Sequence, residues 1–228
     1  MNNLYSKVAV ASVGIALGFA LGANKEAKAA TFTFVLNNSF LVWDANRDGL
    51  GDYHYGGVPL PVGISPENGN EFRAFYEFNI ANLSLASNTV ISSAIFEGMT
   101  NSIEYQDSRP SYLNVVGYVG NGSNDVSDFS KEGVFGSILI QSLSPGSNFQ
   151  LDATTFIKQI VNNRETFAGF GFRITQRYPS YITLSSNTPT LTITTVDVTE
   201  PVPEPTTILS AAVALGWGAW LKRKNSIK

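Results

Sequence analysis

Apolar residues are arranged in three ways along this 228-residue chain. Each end carries one long apolar run, whereas the middle breaks its apolar residues into short runs separated by glycine, serine, asparagine and proline. The short runs are rich in β-branched and aromatic side chains, which suit a pleated, half-buried surface. They predict strands over 31–36, 40–43, 72–78, 89–99, 112–119, 137–142, 167–175, 181–184 and 190–196. Alternation is clearest where Phe72, Ala74, Tyr76 and Phe78 take one face. Arg73, Phe75 and Glu77 take the other, and Phe75 interrupts an otherwise polar face. Asn68-Gly69, Asn121-Gly122 and Pro145-Gly146 supply turns. A single segment, 152–163, has helical spacing: Phe156 with Ile160, and Ile157 with Val161, with Asp152 as the expected N-cap and Asn162-Asn163 as the stop. Many strands, one helix and no internal repeat predict an all-β sandwich or barrel.

The end runs have a different logic. In the first 29 residues, Lys7 precedes an apolar run from Val8 to Ala23, and Ala27-Lys28-Ala29 offers a small-x-small cleavage site. That order reads as a secretory signal peptide over 1–29, with cleavage expected after Ala29. At the other end, Pro203-Glu204-Pro205 breaks any regular structure. An uncharged run from Thr206 to Leu221 follows, then Lys222-Arg223-Lys224. The run would make a helix of roughly 24 Å, a little short of a bilayer core of about 30 Å, and the basic cluster can snorkel to the interface. These three parts, in this order, resemble the PEP-CTERM sorting signal of bacterial surface proteins. The resemblance implies that Pro203, Glu204 and Pro205 are the sorting motif and that the apolar run is a transmembrane helix. It also implies that an exosortase-type enzyme is a partner, cutting near the motif, and that the protein associates with exopolysaccharide or extracellular matrix. The expected organisation is thus a signal peptide over 1–29, a β domain over 30–200 and a sorting segment over 201–228.

Setting the ends apart changes the charge. Seven of the 15 basic residues lie in the end segments, against two of the 18 acidic ones, so the middle holds 8 basic and 16 acidic groups, a net of −8. Such a domain is repelled by phosphate backbones, which argues against a nucleic-acid partner. It suits divalent cations. There is no cysteine, which excludes disulfides and thiolate metal sites. His54 is the only histidine, so two-histidine metal sites are excluded as well.

The middle carries a second resemblance. Leu151-Asp152-Ala153-Thr154-Thr155-Phe156, the helix, and Gly169-Phe170-Gly171-Phe172-Arg173 look like the DNRLRE-type, carbohydrate-module-like jelly roll. Phe72 to Ile80 followed by Val90 to Ala94, and the closing Thr188 to Ile193, resemble its paired and final strands. The resemblance implies a jelly-roll β-sandwich with one short helix.

Candidate chemistry is sparse. No Gly-x-Ser-x-Gly elbow accompanies His54, and a lone histidine in Tyr53-His54-Tyr55 reads as a surface residue. Glu71, Glu77, Glu97, Glu104 and Asp107 are carboxylates of the kind glycoside hydrolysis needs, but spacing in sequence does not pair them. Tyr105, Tyr112, Tyr118, Tyr178 and Tyr181 lie near predicted strand ends, where rings can stack on sugars. Asp44-Ala45-Asn46-Arg47-Asp48-Gly49-Leu50-Gly51-Asp52 sets oxygen side chains at alternate positions before a glycine. Asp44, Asn46, Asp48, Asp52 and the Leu50 carbonyl could serve a weakly bound Ca²⁺. The spacing resembles EF-hand and thrombospondin type 3 loops and is nearer the latter, since Tyr55 stands where an EF-hand has its bidentate glutamate. The alternative is a polar turn closed by its own Asx hydrogen bonds. Together these features lead us to expect an exported, non-catalytic surface or matrix protein. A carbohydrate-binding module is the alternative reading, and a glycan hydrolase the next.

Overall fold

The computed structural model describes residues 28–57, 59–105, 109–174 and 181–198. The signal-peptide run, Pro203, Glu204 and Pro205, and the C-terminal apolar run lie outside the described residues. Ala29–Asp197 form one compact unit. No helix among the described residues is long and apolar enough to cross a membrane.

Twelve strands are described: β1 (Ala29–Val35), β2 (Asn38–Asp44), β3 (Tyr53–Gly56), β4 (Leu60–Ile64), β5 (Glu71–Asn79), β6 (Thr89–Tyr105), β7 (Tyr112–Val119), β8 (Val134–Leu139), β9 (Asn148–Asp152), β10 (Phe167–Ile174), β11 (Tyr181–Leu184) and β12 (Thr190–Asp197). The helix α1 (Thr154–Asn162) joins β9 to β10, and short 3-10 turns cover Val126–Ser130 and Ile140–Ser142. Every strand pair is antiparallel. The 17-residue β6 turns the corner of the fold. Its first part pairs with β12 and β9, and its last part with β11. From β11 the sheet continues through β4, β5, β10, β7 and β8, with β2 and β3 added at the other side of β5. The result is a curled all-β assembly with one helix, consistent with a β-sandwich of jelly-roll type.

The interruption of polarity at Phe75 has a structural cause. Tyr76, Phe78 and Ala74 face the main core with Phe96, Phe149, Phe170 and Phe172. Phe96 lies within 6.2 Å, ring centre to ring centre, of Tyr76, Phe78, Phe149, Phe170 and Phe172. Truncating a ring in such a place costs about 3–5 kcal/mol. On the opposite face Phe75 joins Phe40, Val42, Tyr118 and Phe129 in a second small core, covered by the 126–130 turn. Strand β5 is therefore buried on both sides, and no clean alternation survives in it.

Three strands escape the sequence pattern. β3 is four exposed residues whose only described partner strand is β2. β4 contains Pro61, which argues against a strand in sequence but is accommodated where β4 has β11 on one side only. β9 alternates cleanly, with Phe149 and Leu151 inward, yet is only five residues long. The helix start also differs from expectation. Asp152 ends β9 and Ala153 takes the cap position, while the Asp152 carboxylate accepts the Thr154 N–H at 2.8 Å. Pairing with Ile95 holds Asp152 in the ladder, so the cap moves one residue on. Thr154 Oγ1 accepts the Ala94 N–H at 2.9 Å, which ties the first helical turn to β6. The expected 137–142 strand instead runs over Val134–Leu139 and gives way to the second 3-10 turn.

Candidate functional site

The loop between β2 and β3 satisfies itself. Asp44 is fully buried and accepts the N–H groups of Arg47 and Gly49, the latter at 2.8 Å. Asn46 Oδ1 accepts from Asp48 N–H and Asp48 Oδ1 from Leu50 N–H, both at 2.9 Å. Asp52 closes the loop by accepting from Ala45 N–H at 2.7 Å. Arg47 and Gly49 both have positive φ, at 60° and 89°, so the chain curls around these oxygens. Among the described residues no three His, Cys, Asp or Glu side chains cluster as a metal site.

At the base of this loop begins a row of aromatic rings. Tyr53 on β3 pairs with Trp43 on β2, and Trp43 pairs with Phe72 on β5. Phe72 in turn faces Gly63 on β4, which faces Tyr181 on β11. Because Gly63 has no side chain, Phe72 and Tyr181 meet directly, edge to face, at 5.7 Å. The other two steps are 5.2 Å for Trp43–Tyr53 and 6.2 Å for Trp43–Phe72. These spacings follow from strand separation, about 4.8 Å between neighbours, so the backbone ladder sets the row. Trp43 and Phe72 sit at the margin of the main core, half-buried. Tyr53 is 57% exposed, and Tyr55, two residues along the same edge strand, is 63% exposed. Glu67 and Glu104 lie close enough to Tyr181 to help burial raise its phenol pKa. The row therefore has carboxylates near Tyr181 and the aspartate loop near Tyr53.

Other sequence candidates scatter. Tyr118 is buried, its ring lying on Gly169, where an added Cβ would fall 2.4 Å away. Tyr112 is exposed on β7, away from the row's register. Tyr178, Asp107 and the Tyr105 side chain lie outside the described residues. His54 is exposed on β3 opposite Val42. The glutamates are each engaged locally: Glu71 with Arg73, Glu97 with Asn148 and Gln150, and Glu104 with Ser102. Glu77 is fully buried and accepts the N–H groups of Gly122 and Asn121 at 2.8 and 3.3 Å. Burial raises its pKa, and those two N–H groups oppose the shift. The Tyr118 hydroxyl approaches Glu77 without reaching hydrogen-bond geometry. Burial, and then the Glu77 charge, push the Asp128 carboxyl up to about 7.

Trp43, Tyr53 and Phe72 are the residues that sequence reasoning passed over. They are far apart in the chain, and only the strand register brings them together.

No protein-family profile matches this chain, and no curated protein matches it. Among solved structures, the chain is similar to a xylan-binding module CBM15, at 12% identity and a TM-score of 0.36, with 76% of this chain and 99% of that chain covered.

Proposed function

We propose that this chain is an exported, non-catalytic surface or matrix protein that holds neutral polysaccharide on the aromatic row Tyr53–Trp43–Phe72–Tyr181. The observation that carries this reading is the row itself. Four rings are set at strand spacing, start on an exposed edge strand and are not sealed beneath a second layer there. Sugar rings present apolar C–H faces that stack on such rings, and tyrosine and tryptophan offer polar tips for the hydroxyl groups. Carboxylates near both ends disfavour an anionic chain at this surface. The sorting and matrix part of the reading rests on Pro203, Glu204 and Pro205 and on the run that follows them. The aspartate loop supports the reading from beside the row: its curl and alternating oxygens would let Ca²⁺ stiffen the β2–β3 hairpin that carries Trp43 and Tyr53.

Affinity electrophoresis through gels containing soluble neutral glucans, xylans or mannans tests the platform. Retardation on at least one of them is expected, with Trp43→Ala abolishing it while the circular dichroism spectrum stays unchanged. Equal mobility of the parent chain in every glycan gel would refute the platform, and bond cleavage in those gels would replace it with a hydrolase.

A further inference from the structure

β1 is the last strand at one end of the sheet, and among the described residues it pairs with β12 alone. Its other edge presents backbone N–H and C=O groups with no described strand beside them. Such an edge is a template for a further strand, and proteins blunt it with charge, proline, a bulge or short length. The other edges of this fold carry such devices. β3 is four residues long, β8 contains Gly136 and has a register shift against Val115 and Val116, and β9 is five residues ending in Asp152. β1 has none of them. Its seven residues, Ala29-Ala30-Thr31-Phe32-Thr33-Phe34-Val35, are uncharged and free of glycine and proline. That composition, rich in β-branched and aromatic side chains, favours pairing between identical segments. The free edge is about 23 Å long.

The side chains of β1 are left unfinished in the same direction. Phe32 pairs with Ile193 and Phe34 with Leu191. Ile193 and Leu191 are fully buried, whereas Phe32 and Phe34 are half-buried although both pack against the main core. The difference is one of position, since β12 has β6 on its far side and β1 has no described strand there. Thr31, Thr33 and Val35, on the opposite face, are exposed. Charge agrees with this. In a domain of net charge −8, neither β1 nor the stretch Thr190–Val196 that pairs with it holds a charged residue. Two acidic copies can meet there without setting like charges side by side.

We propose that β1 is a self-association edge, through which two copies of this chain join by antiparallel β1–β1 pairing about a two-fold axis at Thr33. A two-fold contact needs a surface that is complementary to itself, and this register provides one. Thr33 meets Thr33 of the second copy, and Phe32 of each copy meets Phe34 of the other. All four rings lie on the core side, because the two-fold axis runs perpendicular to the sheet. Aromatic pairs and threonine pairs are among the cross-strand contacts that stabilise a sheet. The backbone ladder supplies affinity, as in other cases of strand addition, and the ring pairs fix the register. One strand pair is small beside a standard interface of about 1,200–2,000 Å², so the association is weak, in the micromolar range. β1 contributes no ring to the row Tyr53–Trp43–Phe72–Tyr181, so this contact stands or falls independently of glycan binding.

The chain has no cysteine, so single cysteines report the contact directly. Thr33→Cys and Ser137→Cys, the latter at an exposed position of the edge strand β8, are oxidised in turn as the full chain in neutral detergent. Cβ atoms directly opposite across a strand pair are about 4.5–5.5 Å apart, within a small backbone shift of disulfide geometry. Thr33→Cys should form a cross-linked dimer at least about tenfold faster than Ser137→Cys. Sedimentation equilibrium of the parent chain should show a monomer–dimer equilibrium below about 100 µM. Thr33→Lys sets two like charges across the axis and should weaken that equilibrium about tenfold or more. Because Thr33 is exposed, this variant should keep the parent circular dichroism spectrum. A dimer of parent affinity in Thr33→Lys, as one held by the C-terminal apolar run would be, overturns β1 as the contact. A parent chain that stays monomeric at about 100 µM overturns it as well, as does equal cross-linking of the two cysteine variants.

Discussion

Asp128 shows how one side chain can set a pH response for the whole domain. Its carboxyl is raised from 3.8 to about 7 by burial and by the Glu77 charge. A raised carboxyl pKa means that the folded state holds the proton more tightly than the unfolded chain does. The stability it contributes is therefore fully present below 3.8 and is lost as pH rises through about 7. Asp128→Asn keeps the shape and removes the titration. At about pH 8 this variant should melt higher than the parent, by about 2–4 °C for each kcal/mol recovered in a domain of this size. At about pH 5 the gap should be smaller, and it should close only below about 3.8, where the carboxyl is protonated in both folded and unfolded states. Differential scanning calorimetry across that range checks it, and a constant offset at every pH would show that Asp128 does not control the profile.

At the level of elements, the β2–β3 hairpin is the part most exposed to its surroundings. β3 has β2 as its only described neighbour, and the loop above it is closed by side-chain oxygens rather than by packing. Ca²⁺ bound by Asp44, Asn46, Asp48, Asp52 and the Leu50 carbonyl would favour the folded hairpin by mass action. With an affinity of about 10⁻⁴–10⁻³ M, a cation at ten times its Kd adds about 1.4 kcal/mol. A rise in melting temperature in millimolar calcium is the expected outcome, lost in Asp48→Ala. Identical melting in calcium and in chelator would leave the loop as an Asx-closed turn.

For the molecule as a whole, the proposed reading makes the two end segments the addresses that set where it works. Processing at Pro203-Glu204-Pro205 would remove the C-terminal run with Trp217 and Trp220, and signal cleavage would remove 1–29. Intact mass of the protein recovered from its native host should match a chain that begins near Ala30 and lacks 206–228. A mature mass that retains both tryptophans would exclude the sorting reading. The charge left behind is uneven: carboxylates lie near the aromatic row, and Arg73, Arg173 and Lys131 gather by the 126–130 turn. Successive residues of one strand, Phe72 and Arg73, belong to these two regions because side chains alternate across a sheet.

Among the described residues, composition and local spacing were enough to identify the β class, the helix and nine of the twelve strands, because β-branched runs and Asn-Gly or Pro-Gly turns act over a few residues. The aspartate loop was legible for the same reason, since its hydrogen bonds span at most seven residues. β3 and β4 were not, because an exposed four-residue strand and one containing Pro61 owe their form to partners rather than to their own sequence. The aromatic row and the place of β1 at a sheet edge lay further beyond reach. Tyr53, Trp43, Phe72 and Tyr181 span most of the domain in sequence, and Thr33 on β1 pairs with the distant Thr192. Antiparallel register made neighbours of them, and register is a property of the assembled sheet, fixed only when the buried faces of every strand are satisfied together.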